Sequence, residues 1–217
     1  MKEKKLEFPS LKEALETVPR IHGHVCTASY LGCRMGLYAM RHLKLKRKRD
    51  LAVGVEILTC AADGISAATQ CSYGSGRLTL LDHGKFSAYF GNWMTGESIR
   101  VKINPKVDRE HIEYGKKLDQ FYRGLPGMSM EKAQSLKAGL KKIEDALIEK
   151  WEKIADKDLF ILKEADIDPN LLKAPLDQQY IPMPVECAVC GDITESSKTL
   201  LKKGRYLCKP CAGAFSG

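Results

Sequence analysis

Apolar and polar positions along this chain keep two periods, and each stretch reveals its element by the one it follows. Leu11, Ala14, Leu15 and Val18 recur at helical spacing behind Ser10-Leu11-Lys12-Glu13, a capping-box signature, and Pro19 is expected to stop that short helix. A second helix is predicted over residues 29–43, where Ala28, Leu31, Gly32, Met35, Gly36, Ala39, Met40 and Leu43 form one stripe. Gly32 and Gly36 cost helix propensity but lie one turn apart on that stripe, so another backbone is expected to come close there. Residues 51–58 are apolar and β-branched apart from Gly54 and Glu56, which predicts a buried strand ending at Thr59-Cys60. Residues 61–70 predict a short helix of small residues, so Cys60 falls at a strand-to-helix junction. Gly74 and Gly76 mark a turn, residues 77–81 and 86–90 flank Asp82-His83-Gly84-Lys85 as a hairpin, and residues 98–103 add a strand before Pro105. Beyond Pro105 the character turns helical. Ala133, Leu136, Leu140, Ile143, Leu147, Trp151 and Ile154 predict one long helix with a cap at Ser129, packed across a core or against a dimer partner.

Composition narrows the class. With 217 residues there is room for one medium domain and a small appendage, and 44% apolar against 29% charged residues is the balance of a globular chain. Pro169, Pro175, Pro182 and Pro184 stand in a stretch without periodicity, which divides the chain into a core domain (1–167), a linker (168–184) and a small C-terminal domain (185–217). Met1-Lys2-Glu3-Lys4-Lys5 leads into no apolar segment, and no run approaches the roughly 18 residues of a membrane span. The expected compartment is therefore the cytoplasm, with no membrane contact. Thiols stay reduced there, so the eight cysteines point to metal or redox chemistry rather than disulfides. The net charge of +8 is concentrated in Arg41, Lys44, Lys46, Arg47, Lys48 and Arg49. Cations suit a helix C-terminus and a solvated loop, so this run is read as structural, with a phosphate-binding patch as the alternative.

Two constellations carry chemistry. Cys187-Ala-Val-Cys190 and Cys208-Lys-Pro-Cys211 are C-x2-C knuckles about 17 residues apart, the spacing of a four-cysteine zinc site. So short a segment buries too little apolar surface to fold unaided, so Zn2+ would supply most of its folding free energy; a dithiol pair or a rubredoxin-type iron site are the alternatives. The second is Ile21-His22-Gly23-His24-Val25-Cys26. If this stretch is extended, His22, His24 and Cys26 share one face and form a metal-ligand set; the plainer alternative is half-buried polar residues at a helix entrance.

His22-Gly23-His24-x-Cys26, Gly32-x-Arg34-x-Gly36, Glu56-x-x-x-Cys60-x-x-Asp63-Gly64-Ile65, Cys71-Ser72-x-Gly74-x-Gly76-x-Leu78 and Gly84-Lys85 together resemble the FmdE family, named for one of the subunits of formylmethanofuran dehydrogenase. The resemblance covers the N-terminal two-thirds, and a C-terminal four-cysteine ribbon is an addition to it. Where the family usually has Cys-Pro-Gly, this chain has Cys26-Thr27-Ala28, which alters the turn but not the ligand atoms. The resemblance implies an α+β core with a mixed sheet packed with helices, an intertwined homodimer in which Gly32, Gly36 and the long helix would be intersubunit contacts, and a metal site in the core. It also implies an accessory role. Formyl or hydride chemistry needs a pterin-bound metal and iron–sulfur clusters, and this chain is not expected to catalyse it alone.

On that reading, His24, Cys26 and Cys60 hold a second divalent metal, with Zn2+ as a candidate, and His22 is a fourth ligand or supports one. Cys26 and Cys60 both precede predicted helices, whose dipoles favour thiolates. An open fourth position would admit water or substrate, with Cys60, Asp63 and Lys85 as candidate catalytic groups. For Cys60 and Cys71 the alternative is a buried small residue; Cys33 is assigned to the core, and His42, His83 and His111 to the surface or turns. Three functions fit: a metal-binding accessory or sensor protein whose ribbon contacts another protein, a nucleic-acid-associated regulator, or a metal-dependent enzyme on a small molecule. Nucleic acid is the less favoured partner, since the ribbon sets Lys198, Lys202, Lys203, Arg205 and Lys209 against Glu186, Asp192 and Glu195.

Overall fold

The computed structural model describes residues 8–167 and 183–213. The chain divides into two compact units between Pro175 and Leu176. Pro169, Pro175 and Pro182 of the expected linker lie outside the described residues, while Pro184 already begins a strand.

The larger unit runs α1 (Leu11–His22), α2 (Thr27–His42), β1 (Leu51–Val55), α3 (Cys60–Thr69), β2 (Leu78–Leu80), β3 (Ser87–Asn92), β4 (Ser98–Ile103), α4 (Pro105–Gly124), α5 (Met130–Glu152), α6 (Asp156–Leu159) and β5 (Phe160–Glu164). Its five strands are ordered β2-β1-β3-β4-β5. β1 and β2 are parallel and the other pairs antiparallel, so the sheet is mixed and the fold is α+β.

The expected hairpin between residues 77–81 and 86–90 does not form. β2 and β3 flank β1 on opposite sides, because the connection between them wraps round the end of β1: Leu81 N–H donates to Val55 O at 2.8 Å, and Glu56 N–H to Ser87 O at 3.0 Å. A turn signal in sequence fixes a reversal of direction, not which strand lies alongside.

Gly32 and Gly64 set the spacing of α2 and α3. A Cβ on Gly32 would lie 2.2 Å from Ala61 O, and one on Gly64 would lie 2.1 Å from Ser29 O, so the helices touch backbone to backbone. Gly36 continues the seam against Ala68 and Thr69. These glycines therefore serve packing within the chain, which corrects the intersubunit role expected of Gly32 and Gly36. Arg34, on the same helix, is buried and structural: it donates to Asp156 at 2.6 Å, to the Tyr30 hydroxyl at 2.8 Å and to the carbonyls of Trp151 and Ile154, tying α2 to the end of α5. Tyr30, Leu31, Met35, Phe90, Phe160 and Trp151 form the centre of the core.

Along the long helix the expected stripe is buried mainly at Trp151, while Leu136 and Ile143 are exposed. α4, which periodicity does not delimit, packs on α5 through Tyr114 and Phe121. No helix among the described residues is long and apolar enough to cross a membrane.

The second unit is two β-hairpins, β6 (Pro184–Glu186) with β7 (Ile193–Glu195) and β8 (Thr199–Lys202) with β9 (Arg205–Cys208), each followed or closed by a cysteine knuckle. Gly191, at φ 77°, turns the first knuckle and donates to Cys187 O at 2.9 Å.

Candidate metal centre

Two clusters of metal-capable side chains occur among the described residues. In the ribbon the sulfurs of Cys187, Cys190, Cys208 and Cys211 all lie within 4.8 Å of one another. Main-chain N–H groups of Cys190 and Cys208 point at Cys187 and hold its thiol at about 6, while the neighbouring thiols of Cys208 and Cys190 push Cys211 up to about 12. Four thiolates so close would repel one another, so the set could hold a cation that balances them.

The core cluster is His22, Cys26 and Cys60, with donor atoms likewise within 4.8 Å. Its geometry differs from the extended stretch expected. Pro19 lies inside α1, which continues to His22; Gly23, at φ 87°, caps it in the left-handed conformation and donates to Pro19 O at 3.0 Å. Proline breaks a helix by lacking one N–H and crowding the preceding turn, and here only the final turn follows it. The reversal at Gly23 removes the two-residue alternation. His24, expected on the ligand face, is not in the three-donor cluster. Its ring centroid lies 4.8 Å from that of His22, and it lines a cleft with Tyr114, Phe121 and Glu144.

Each donor is placed by a helix terminus. His22 ends α1, Cys26 is the N-cap of α2, and Cys60 opens α3 behind the Thr59 cap, whose hydroxyl accepts from Ala61 N–H at 3.3 Å. The Gly32–Gly64 seam holds the two N-termini together, so packing on one face of α2 delivers two thiols to one point. His22 Nδ1 bonds Asp63 Oδ2 at 2.8 Å, while Nε2 is buried without a hydrogen-bond partner. A carboxylate on Nδ1 fixes the tautomer that leaves the Nε2 lone pair free, which is the arrangement of a metal-binding imidazole. Asp63 thus acts through His22.

The two thiols perturb each other. The Cys60 S–H group, opposed by burial and assisted by Ser29 and the Ala28 main chain, holds Cys26 at about 4; the proximity of Cys26 in turn raises Cys60. The Cys26 and Cys60 sulfurs and the His22 imidazole form a soft donor set with coordination positions to spare.

The other cysteines are core. Cys33 and Cys71 are fully buried, and burial pushes Cys33 up to about 12 and raises Cys71, whose thiol faces Leu51 O. Lys85 lines a separate cleft beside the centre, together with Thr59, Arg100 and His111.

Of the histidines assigned to the surface or turns, His83 is exposed in the connection after β2, as assigned, whereas His111 is half-buried on α4. His83 Nδ1 bonds buried Glu56 at 2.9 Å; burial opposes the ionised form of Glu56, but Arg100 at 2.6 Å, Ser87 and His83 outweigh it and lower its pKa. His111, on α4, has a buried Nδ1 without a partner. The signal available for His83 was the motif residue Glu56, not its own spacing. His42 is at the exposed end of α2, bonded to Tyr38 O. The basic run is engaged locally, Arg41 with Asp156, Arg47 with Asp50 and Lys48 with Gln70.

Comparison with known proteins bears on the family and the fold. A "Probable S-adenosyl-L-methionine-binding protein" of Archaeoglobus fulgidus is 26% identical over 211 residues, covering 94% of this chain and 54% of that protein. The chain thus spans about half the length of the curated relative it matches. A solved structure, that of a tungsten formylmethanofuran dehydrogenase FmdE-like protein from Syntrophus aciditrophicus, superposes with a TM-score of 0.59 at 20% identity, over 96% of this chain and 95% of that one, and so shares the fold. The sequence model described as "FmdE, Molybdenum formylmethanofuran dehydrogenase operon" matches residues 21–161, a span that holds His22, Cys26, Cys60 and Asp63. With a four-cysteine ribbon appended, the chain belongs to the FmdE family.

Proposed function

We propose that this chain is a metal-binding accessory protein of the reducing cytoplasm, with a structural Zn2+ in the ribbon and an exchangeable divalent metal, Zn2+ by donor type, on His22 Nε2, Cys26 and Cys60. The single observation that carries the core site is His22: its Nδ1 is committed to Asp63 and its Nε2 is buried without a partner beside two thiols. A buried, unsatisfied polar atom costs roughly 1–3 kcal/mol, and a metal there removes that cost. Four ribbon cysteines close a tetrahedron, whereas three core donors leave a position for water or a ligand. The ribbon, small and two-hairpinned, suits contact with a protein partner. Exposed Ile112, Tyr122, Leu125, Met130, Leu136 and Ile143 on α4, α5 and their connection support a homodimer, which light scattering at micromolar concentration would detect.

A second reading, a metal-dependent reaction on a small molecule, is favoured by the cleft that adjoins the open position. Nucleic-acid binding draws less support from the basic run, in which Arg41, Arg47 and Lys48 are engaged within the fold.

Metal analysis of the purified chain tests the proposal. Wild type is expected to carry two metals, Cys187→Ser/Cys190→Ser one, and that variant with Cys26→Ala none. A ribbon variant without metal refutes the core centre.

A further inference from the structure

Beside the core cysteines lies a cleft of about 630 Å³, between the end of β1, β4 and the start of α4. Its polar lining is cationic. Lys85, Arg100 and Lys102 face one acidic side chain, Asp108. Arg100 is committed to Glu56 and Ser87, while the ammonium groups of Lys85 and Lys102 form no ion pair with a described residue. Opposite them, Ile57, Phe86, Ile103 and Ile112 supply an apolar wall.

Two lining residues connect the cleft to the metal centre. Thr59 is part of its wall and is followed directly by Cys60. His111 lines it from α4, with the Phe86 ring edge-on at 5.5 Å, and lies near enough to Cys26 to feel its charge. Its Nδ1 is shielded from solvent and has no hydrogen-bond partner. A site with two unmatched ammonium groups, an imidazole in its lining and an apolar wall is built for an anion with an apolar body.

We propose that this cleft binds a small amphiphilic anion, a carboxylate or phosphate ester, holding its charge on Lys85 and Lys102 and a polar atom on His111, and presents it to the open position of the core metal. The inference rests on the core-metal reading and names the class of ligand that reading leaves open. Lys85 and His111 act here as binding and positioning groups.

The test uses full-length, metal-loaded protein and three probes with one ring: phenyl phosphate, benzoate and neutral benzyl alcohol. Calorimetric titration is expected to show one or both anions binding at least tenfold tighter than the alcohol, more weakly as salt rises. Lys85→Ser/Lys102→Ser is expected to cost the anions about tenfold or more and the alcohol little, and His111→Gln a smaller factor. Phosphate and carboxylate arms separate the two anion sources. With Co2+ at the core site of the Cys187→Ser/Cys190→Ser variant, the preferred anion is expected to shift the visible d–d bands, and the shift should vanish in the lysine variant. Equal binding of anion and alcohol, or unchanged affinity in the lysine variant, overturns the cleft assignment; binding without a spectral shift overturns presentation to the metal. Metal content is measured separately. A loaded core with no lysine-dependent binding sinks this inference alone, and lysine-dependent binding to a chain without core metal sinks the metal reading and the presentation to it while the cleft assignment stands.

Discussion

Gly64→Ala tests the link between helix packing and the metal centre, because the substitution touches no donor atom. The added Cβ would lie 2.1 Å from Ser29 O and 2.9 Å from Cys33 N, both main-chain atoms of α2 that cannot rotate away. Ordinary contact requires the helices to part by about 1 Å. Overpacking of this kind costs about 1–3 kcal/mol, with rigid backbone on the receiving side placing it at the upper end. Helix propensity returns at most about 1 kcal/mol, because alanine is the better helix former. The net loss of about 2 kcal/mol lowers the midpoint of thermal unfolding by roughly 4–8 °C for a unit of this size. The same displacement carries Cys60 away from Cys26, and core-metal affinity, measured by competition with a chromophoric chelator, falls about tenfold or more. Gly139→Ala is the control. Gly139 lies in α5 with nothing within 4 Å of its would-be Cβ, so propensity acts alone and stability rises by about 0.5–1 kcal/mol. A Gly64→Ala protein that melts with wild type and binds metal as tightly would refute the claim that the α2–α3 seam positions the two thiols.

Asp63→Asn keeps the shape of the side chain but removes the charge that orients His22 and strengthens its Nε2 as a donor, so core-metal affinity is expected to fall about 10–100-fold with the melting curve little changed. Asp156→Ala leaves buried Arg34 without its carboxylate and is expected to destabilise the core by about 3–5 kcal/mol, read by chemical denaturation; a loss below about 1 kcal/mol would count against a structural role for that motif arginine. Glu56 has its pKa lowered in the fold, so it binds its proton less readily folded than unfolded. Its contribution is complete above the ordinary value of 4.5 and disappears as pH falls through the lowered one, and Glu56→Gln is expected to flatten this acid limb of the stability profile.

What could be read from sequence follows the range of the interactions. The ribbon set was legible because each pair of thiols converges through one local turn, and spacing alone records that. Strand positions and the helix caps were legible for the same reason, as at Ser10 and Ser129. The parallel placement of β2 depends on a connection that crosses the end of β1, and nothing within four residues of Gly84 states it. α4 escapes delimitation because it buries only Val107, Tyr114 and Phe121 among many charged residues, leaving a sparse stripe. At the core site the residue types were legible but their geometry was not. Pro19 signals a stop, yet α1 passes through it, and that one extra turn moves His22 onto the donor cluster and His24 into the neighbouring cleft.

That exchange of histidines changes the chemistry available. Had His22 and His24 both pointed at the thiols, four donors would have closed the site as firmly as the ribbon closes its own. With His22 alone, backed by Asp63, the donors number three, and the wall beside Cys60 opens into a cleft lined by Lys85, Lys102 and His111. A ribbon metal on four cysteines would have nothing left to bind and would serve the fold; a core metal on one imidazole and two thiols would keep a position that exchanges. The α2–α3 glycine seam matters for the same reason, because the core centre has no local turn to build it. Its thiols meet only where two helix N-termini are pressed together, so the open site exists only in the folded chain.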